Sequence, residues 1–450
     1  MTYTDDQSKA LDAMLNWAKN PENLLYTLNG AAGTGKTTIV KAFLQNVGVN
    51  FKKIAVTAPT HKAKKVIQDA TDFQAQTIQT LLGLRPNVNM DNFNPNRPVF
   101  DPLAEEKIQY FKYVIIDESS MINAKAFQLI CERAEEYGIK VLFLGDAYQL
   151  PPIGEKISKV FTSVPSKSVL SQIVRQEESN PMTKILKMLR DDVKNETEEG
   201  VKYLVKNNAQ IINDSGYKCL TRTSSPSFGE NLLEYYFSSE YEVDTNYIKF
   251  ITYTNANIES WSIALREKLL KEEAKNFLNV GEVFTGYKTI TSERHNNIII
   301  QNSEDYIVMD LQYSVNDLDI AGYYTTISNE DGFEKTIFIV APEGIEKFTE
   351  IHNQKLNIAK ARRGSYWRSY YKFKNRHLLI QDIKQGSKLI CSKDLYYGYG
   401  CTVHKSQGST YSNVGLNLQN LYKNYDIGER SRLIYVALSR ARNMNLIMLK

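Results

Sequence analysis

The octet Gly30-Ala31-Ala32-Gly33-Thr34-Gly35-Lys36-Thr37 fits GxxxxGK[ST], and it lies between a short apolar run, Leu24 to Leu28, and a helix-compatible stretch that starts at Lys36. A chain built around such an octet must make a strand, a tight loop and a helix in that order, which commits it to a parallel α/β layer. Glycines let the loop wrap phosphate oxygens with successive N–H groups, and the helix start adds positive potential. Lys36 then reaches the β and γ phosphates and Thr37 offers its hydroxyl to magnesium, while Gly30, Gly33, Thr34, Gly35 and Thr38 line the cradle. The chain's own residue frequencies predict the octet by chance in roughly one such sequence in a hundred. The alternative is a glycine-rich turn that only caps a helix.

The strand-then-helix alternation recurs at residues 54 to 58 (IAVTA) with a helix from about His61, and at 113 to 117 (YVIID) with a helix over Ala124 to Tyr137. It closes at 141 to 146 (VLFLGD). A second series opens at 247 to 254 (YIKFITYT), with a helix from Asn257 to about Lys271, and is completed by 388 to 392 (KLICS), 413 to 418 (NVGLNL) and 445 to 449 (NLIML). At about 150 residues per domain, 450 residues make roughly three units. The predicted fold class is α/β: two parallel-sheet domains in tandem. The first covers 1–178 and carries a pin-like hairpin insertion at 85–108, where Arg85 to Phe100 holds three Pro and five Asn. The second covers 179–280 and 383–450. Between its halves, residues 281–382 read as a β-rich insertion carrying a projecting arm from about 341.

Charge narrows the function classes. Fifty-five basic against fifty-one acidic side chains leave a formal +4, which excludes a whole-surface positive field, so any polyanion site is local. Four cysteines without CxxC spacing signal neither a zinc site nor a disulfide framework. An N-terminus opening on Thr4, Asp5 and Asp6 and the lack of a long apolar run point to a cytoplasmic protein with no membrane partner. Twenty-eight Tyr and eighteen Phe serve either large cores or faces on which bases stack.

Beyond the octet, Asp117-Glu118 stands at the end of the apolar run YVIID. Downstream of a phosphate loop, Asp117 is placed to hold magnesium through water and Glu118 to polarise an attacking water; the bland reading is helix capping. Gln149, in the loop Gly145 to Pro152, is positioned to sense a γ-phosphate. Taken in order, GAAGTGKTT, TAPTHKAKK (57 to 65), VIIDESSM (114 to 121), LGDAYQLPP (144 to 152), IVRQ (173 to 176), TVHKSQGSTY (402 to 411) and YVALSRAR (435 to 442) resemble the motif series of superfamily 1 helicases. The wording of the last two is most similar to the RecD/Dda-like branch.

That resemblance implies two RecA-like domains, an SH3-like insertion, and ATP hydrolysis in a shared cleft that drives 5′ to 3′ movement along single-stranded DNA. Arg175 and Arg440 are then cleft-crossing arginines that neutralise the γ-phosphoryl group, and Gly408 belongs to the nucleotide site. Gln7 matches the family glutamine that bonds the adenine edge, although Thr4-Asp5-Asp6-Gln7 also spells a capping box. Thr60, His61, Lys62 and Lys64 on the first half, with Thr402, His404 and Lys405 on the second, match positions lining the strand groove. Thr410 replaces an acidic residue that many relatives carry, which leaves sugar selectivity open. Phe100 is the candidate pin aromatic, with Phe93 and a plain core contact as rivals.

Residues 351 to 380 hold eight Lys or Arg and no acid, interleaved with five aromatics. They are either a single-strand platform or a helical arm whose rings pack inward. The resulting expectation is an ATP- and magnesium-dependent DNA helicase of replication or recombination, a monomer acting at single-strand/duplex junctions alongside single-strand-binding proteins. Its rivals are a protein-displacing translocase, a small-molecule kinase and an ATP-gated DNA-binding protein.

Overall fold

The computed structural model describes residues 3–449 apart from 60, 88–93, 95–98, 173–179, 222–225 and 292–297; the side chains of 61, 62 and 86 are also outside the description. The strand that feeds the phosphate loop, Leu25–Gly30, lies inside a six-stranded sheet. Its order is Ala75–Thr77, Ile54–Ala58, Tyr113–Ile116, Lys140–Gly145, Leu25–Gly30, Ser166–Leu170, and every pairing is parallel. Burial explains the apolar runs. Leu28, Ile115, Leu142 and Leu144 pack with Met14, Trp17, Val40 and Phe43 of two helices on one face. Val114, Ile116, Val141 and Phe143 point to the other face, against Ile130 and Ala134. Successive side chains alternate across a strand, so a sheet covered on both faces needs uninterrupted apolar strands.

A second six-stranded sheet runs Gly400–Thr402, Ile248–Thr252, Tyr411–Asn417, Ala441–Met448, Ser215–Leu220, Ala209–Ile212. Its interior pairings are parallel, with Ala209–Ile212 antiparallel at the edge. Two helices, Pro181–Asn195 and Ile427–Leu438, cover one face. On the other, Gly415 faces Leu232, whose Cδ1 would sit 2.6 Å from an added Cβ, so a side chain there would force Leu232 to shift. Both sheets belong to one compact unit made of Met1–Leu84, Ala104–Asn257 and Cys401–Lys450.

The second compact unit comprises Arg85–Leu103 and Ile258–Gly400. It holds a five-stranded antiparallel sheet, ordered Glu334–Val340, Ala321–Asn329, Asp305–Val315, Val283–Gly286, Leu395–Tyr397. It also holds a helical hairpin, Ile345–Arg362 and Ser365–Arg376. The predicted pin segment supplies the strand Phe100–Pro102, which pairs with Leu84–Pro86. One predicted strand takes a different place: Lys388–Cys391 pairs antiparallel with Ile383–Gln385 instead of joining the second parallel sheet. Lys388 and Leu389 are exposed, which a central parallel strand does not allow. Ser215–Leu220 takes an interior place in that sheet. No helix among the described residues is long and apolar enough to cross a membrane.

Candidate active site

Parallel register sets the chemistry. Asn29 is level with Gly145, Thr57 with Ile116, and Ile116 with Phe143, so the loops that follow these strands open on one edge of the sheet. Gly33 and Gly35 sit at φ 81° and 82°, the left-handed region where a side chain is strained, and Gly35 caps the helix Lys36–Asn46. Lys36 Nζ donates to the carbonyl oxygens of Gly30 (2.7 Å) and Ala31 (2.9 Å). Burial draws its pKa below the ordinary lysine value, opposed by Asp146, Glu118 and Asp117. A phosphate would offer the ammonium better acceptors than these two carbonyls.

Asp117 accepts from the Glu118 N–H at 2.8 Å. Burial first, and the Glu118 carboxylate second, raise Asp117 well above the usual carboxylate range. Glu118 holds φ 48°, a left-handed backbone that costs a non-glycine residue free energy and marks positions fixed by their surroundings. Its Oε2 is buried with no hydrogen-bond partner. Two carboxylates and an ammonium thus converge on one desolvated space, and an unpartnered carboxylate oxygen there is suited to accept a proton from water.

The second sheet's helices close on this edge. Gln407 Nε2 donates to Ser120 Oγ (3.1 Å) and the Leu150 carbonyl (3.1 Å), and lies 3.4 Å from Gln149 Oε1. Arg432 donates to the carbonyls of Ala147 (2.7 Å) and Gln149 (3.1 Å). Tyr435 OH donates to the fully buried Asp146 at 2.6 Å, and Arg190 approaches the other Asp146 oxygen at 3.5 Å while lying over the Tyr148 ring. Leu150 packs in the second sheet's core. A Cβ on Gly408, at φ 76°, would touch Ala63 at 3.3 Å and the Glu118 side chain at 3.8 Å. The loop bearing Gln149 is therefore gripped from the opposite lobe. Asp146, Arg190, Arg432, Tyr435 and Gln407 were given no role from sequence; four of the five lie in or beside the quoted motifs, which was the available signal.

Residues 2–210 match the AAA domain family, and residues 397–447 match the UvrD-like helicase C-terminal domain. These matches fall on the first parallel sheet and on the last strands of the second. The ATP-dependent DNA helicase dda of Enterobacteria phage T4 is 24% identical over 325 residues, 69% of this chain and 68% of its own. The chain is a superfamily 1 helicase of the Pif1/RecD/Dda group. An uncharacterized protein, R530, of Acanthamoeba polyphaga mimivirus is 24% identical over 504 residues, 98% of each chain. A Pif1 helicase from Bacteroides, crystallised with ADP-AlF3 and ssDNA, shares the fold at a TM-score of 0.53. It is 17% identical, over 99% of this chain and 92% of that one.

The remaining predicted residues of this helicase take these places. Gln7 is buried and takes the capping-box reading: its Oε1 accepts from Thr4 N–H, while its Nε2 donates to Thr34 O of the phosphate loop at 3.0 Å. Arg440 is buried beside Gly408 and donates to Val436 O, Ser409 O and Ser439 Oγ. Thr402 caps the turn that carries His404 and Lys405, and the His404 ring lies 6.3 Å from Tyr253. His61, Lys62 and Lys64 lie on the helix His61–Thr71, with Lys64 half-buried. Phe100 is 43% exposed, so the core-contact reading fails. Arg175, Thr60 and Phe93 lie outside the described residues.

Proposed function

We propose that this helicase hydrolyses ATP with magnesium, moves 5′ to 3′ on single-stranded DNA and separates duplex at single-strand/duplex junctions during DNA replication or recombination. The observation that carries the reading is the grip of the second lobe on the Gln149 loop and over Glu118. A nucleotide bound to the phosphate loop would press on both lobes at once, which a motor needs and a small-molecule kinase does not. The relatives' names and the bound ssDNA of the Bacteroides Pif1 structure support DNA as the track. The five-stranded insert is read as the SH3-like module of this branch, and the two parallel sheets as domains 1–178 and 179–280 with 383–450.

In this reading Lys36 binds the β and γ phosphates, Gly30, Gly33, Thr34, Gly35 and Thr38 cradle them, and Gln7 meets the base. Glu118 takes the proton of the attacking water, and Gln149 reports the γ-phosphate. Arg440, with Arg175, would add positive charge on closure, for which Arg440 must exchange at least one neutral acceptor. Thr37 and Asp117 fit a magnesium ion. Such a cation would be held by one carboxylate, a hydroxyl and the nucleotide's own phosphates. Magnesium would supply charge neutralisation of the phosphates. Thr60, His61, Lys62, Lys64, Thr402, His404 and Lys405 would hold sugar and phosphate without reading sequence, and Phe100 would meet the terminal base pair.

Glu118→Gln is expected to lower kcat for ATP by about 10²–10⁴-fold with nucleotide affinity retained, measured by steady-state hydrolysis and nucleotide titration. An unchanged kcat would remove Glu118 from the proton-accepting role. The reading as a whole is tested by unwinding duplexes that differ only in a 5′ or a 3′ single-stranded tail, as DNA and as RNA, with ATP and magnesium. Unwinding of the 5′-tailed DNA alone is expected. Equal rates on both tails, or none on either with ATPase intact, would overturn it, the second in favour of the protein-displacing translocase.

A further inference from the structure

We infer that the helical arm Ile345–Arg376 is a grip for the phosphate backbone of duplex DNA, distinct from any single-strand groove; this rests on DNA being the substrate. The sequence offered two uses for its rings, and the structure separates them. Trp367, Tyr370 and Phe373 are buried, with 2–4% of their surface exposed. His352 Nε2 lies 3.1 Å from Tyr370 OH, and the His352 and Phe373 rings both stack on Phe348, joining the two helices. These rings are the arm's own core. Tyr366 is exposed, but Arg362 lies over its ring and donates to its hydroxyl. A surface that binds single strands presents rings to bases, and this one has spent them on packing.

What it presents is charge and hydroxyl. Lys360, Arg362, Arg363, Arg368 and Lys372 are exposed around the turn and the outer face, with no acidic residue from 351 to 380. Ser365, Arg368, Ser369 and Lys372 recur at i, i+3, i+4 and i+7, so two cations and two hydroxyls share one exposed helix face. Such groups bind phosphate oxygens and carry no base readout. The turn between the helices holds Arg363 at φ 55° and ψ −157°, a conformation that glycine tolerates and a side chain resists. A cation stands there nonetheless. The arm's base is held as well: Lys374 pairs with the buried Asp394 at 2.6 Å, Asn375 donates to Thr291 O at 3.0 Å and Arg376 pairs with Asp317. A basic rod whose exposed Tyr366 ring is covered by Arg362 fits the regular phosphate rows of a duplex better than a flexible single strand.

The test uses the full chain with Lys360→Ala, Arg362→Ala and Arg368→Ala together, titrated against a labelled blunt DNA duplex and against labelled oligo(dT) from 50 to 200 mM salt. Losing three phosphate contacts should make the duplex salt slope shallower by about 2.7, so that the wild type loses roughly fortyfold more affinity than the variant across that range. Oligo(dT) affinity and oligo(dT)-stimulated ATPase should stay unchanged. The charge-conserving set Lys360→Arg, Arg362→Lys, Arg368→Lys should restore the slope, which separates lost charge from a misfolded arm. An unchanged duplex slope overturns the inference. So does an equal loss on oligo(dT), which makes the arm a single-strand site, or tighter binding of the wild-type arm to phosphatidylserine vesicles than to duplex. Failure of the helicase reading looks different: wild-type ATPase would not respond to oligo(dT) at all.

Discussion

Lys36→Ala is expected to lower DNA-stimulated ATP hydrolysis by at least about 10²–10³-fold, the scale on which a single preorganised charge donor acts on a transferring group. Single-strand binding without nucleotide should stay within about twofold of wild type, because the hydrogen bonds of Lys36 go to the Gly30 and Ala31 carbonyls of its own loop. The three carboxylates Asp146, Glu118 and Asp117 all act on this ammonium. Removing it leaves them to repel each other and the incoming phosphates, so ATP affinity should fall along with kcat. Paired measurements of steady-state ATPase and fluorescence anisotropy on oligo(dT) decide the matter. Hydrolysis at the normal rate would mean that the octet is a structural turn, and loss of DNA binding in step with ATPase would mean that the substitution damaged the fold.

Much of the motor was legible because its residues answer local demands. A glycine at φ above zero, a lysine six residues past the strand end and a carboxylate pair after a buried strand each have a chemical reason that short sequence carries. Parallel register then brings Gly30, Asp117 and Asp146 to one edge without further information. The seam was less legible. Among the partners of Asp146, Tyr435 and Arg190 lie 289 and 44 positions away in sequence, and no periodicity announces such a pairing. The second sheet shows the same limit. Ser215–Leu220 is short, with Gly216 and Lys218 breaking its apolar run, yet it pairs with Ala441–Met448 in the interior; Lys388–Cys391 looks like a buried strand in composition and is half exposed in a two-stranded hairpin. In the arm, basic and aromatic residues interleave in sequence, and only helix packing shows that Trp367, Tyr370 and Phe373 face inward while most of the charges face outward.

That arm is only as firm as its root, which makes Asp394 the site of the largest expected loss in stability. Its carboxylate is fully buried and accepts from Lys374 Nζ at 2.6 Å and Leu379 N–H at 2.9 Å, while Lys288 Nζ lies 3.0 Å from its other oxygen. Burial alone would raise its pKa; the two ammonium groups outweigh that and hold it below the ordinary carboxylate value. For Lys374, burial works toward a lower pKa and the Asp394 charge reverses it, leaving the ammonium more firmly protonated than usual. Asp394→Asn keeps the shape and removes the charge, so Lys374 is left buried without its counter-ion. Breaking a buried pair from one side costs about 3–5 kcal/mol, to be measured by urea unfolding followed through tryptophan fluorescence. A lowered carboxylate pKa stabilises above the unfolded value of about 3.9 and loses that contribution as pH falls through the folded value. The gap between wild type and Asp394→Asn should therefore be full at pH 7 and close progressively below about pH 4. Exchanging both partners, Asp394→Leu with Lys374→Met, should recover much of the loss at neutral pH, because it removes two buried charges together. A single substitution as costly at pH 3 as at pH 7 would show that the asparagine disturbs packing and that the ion pair holds little of the arm's root.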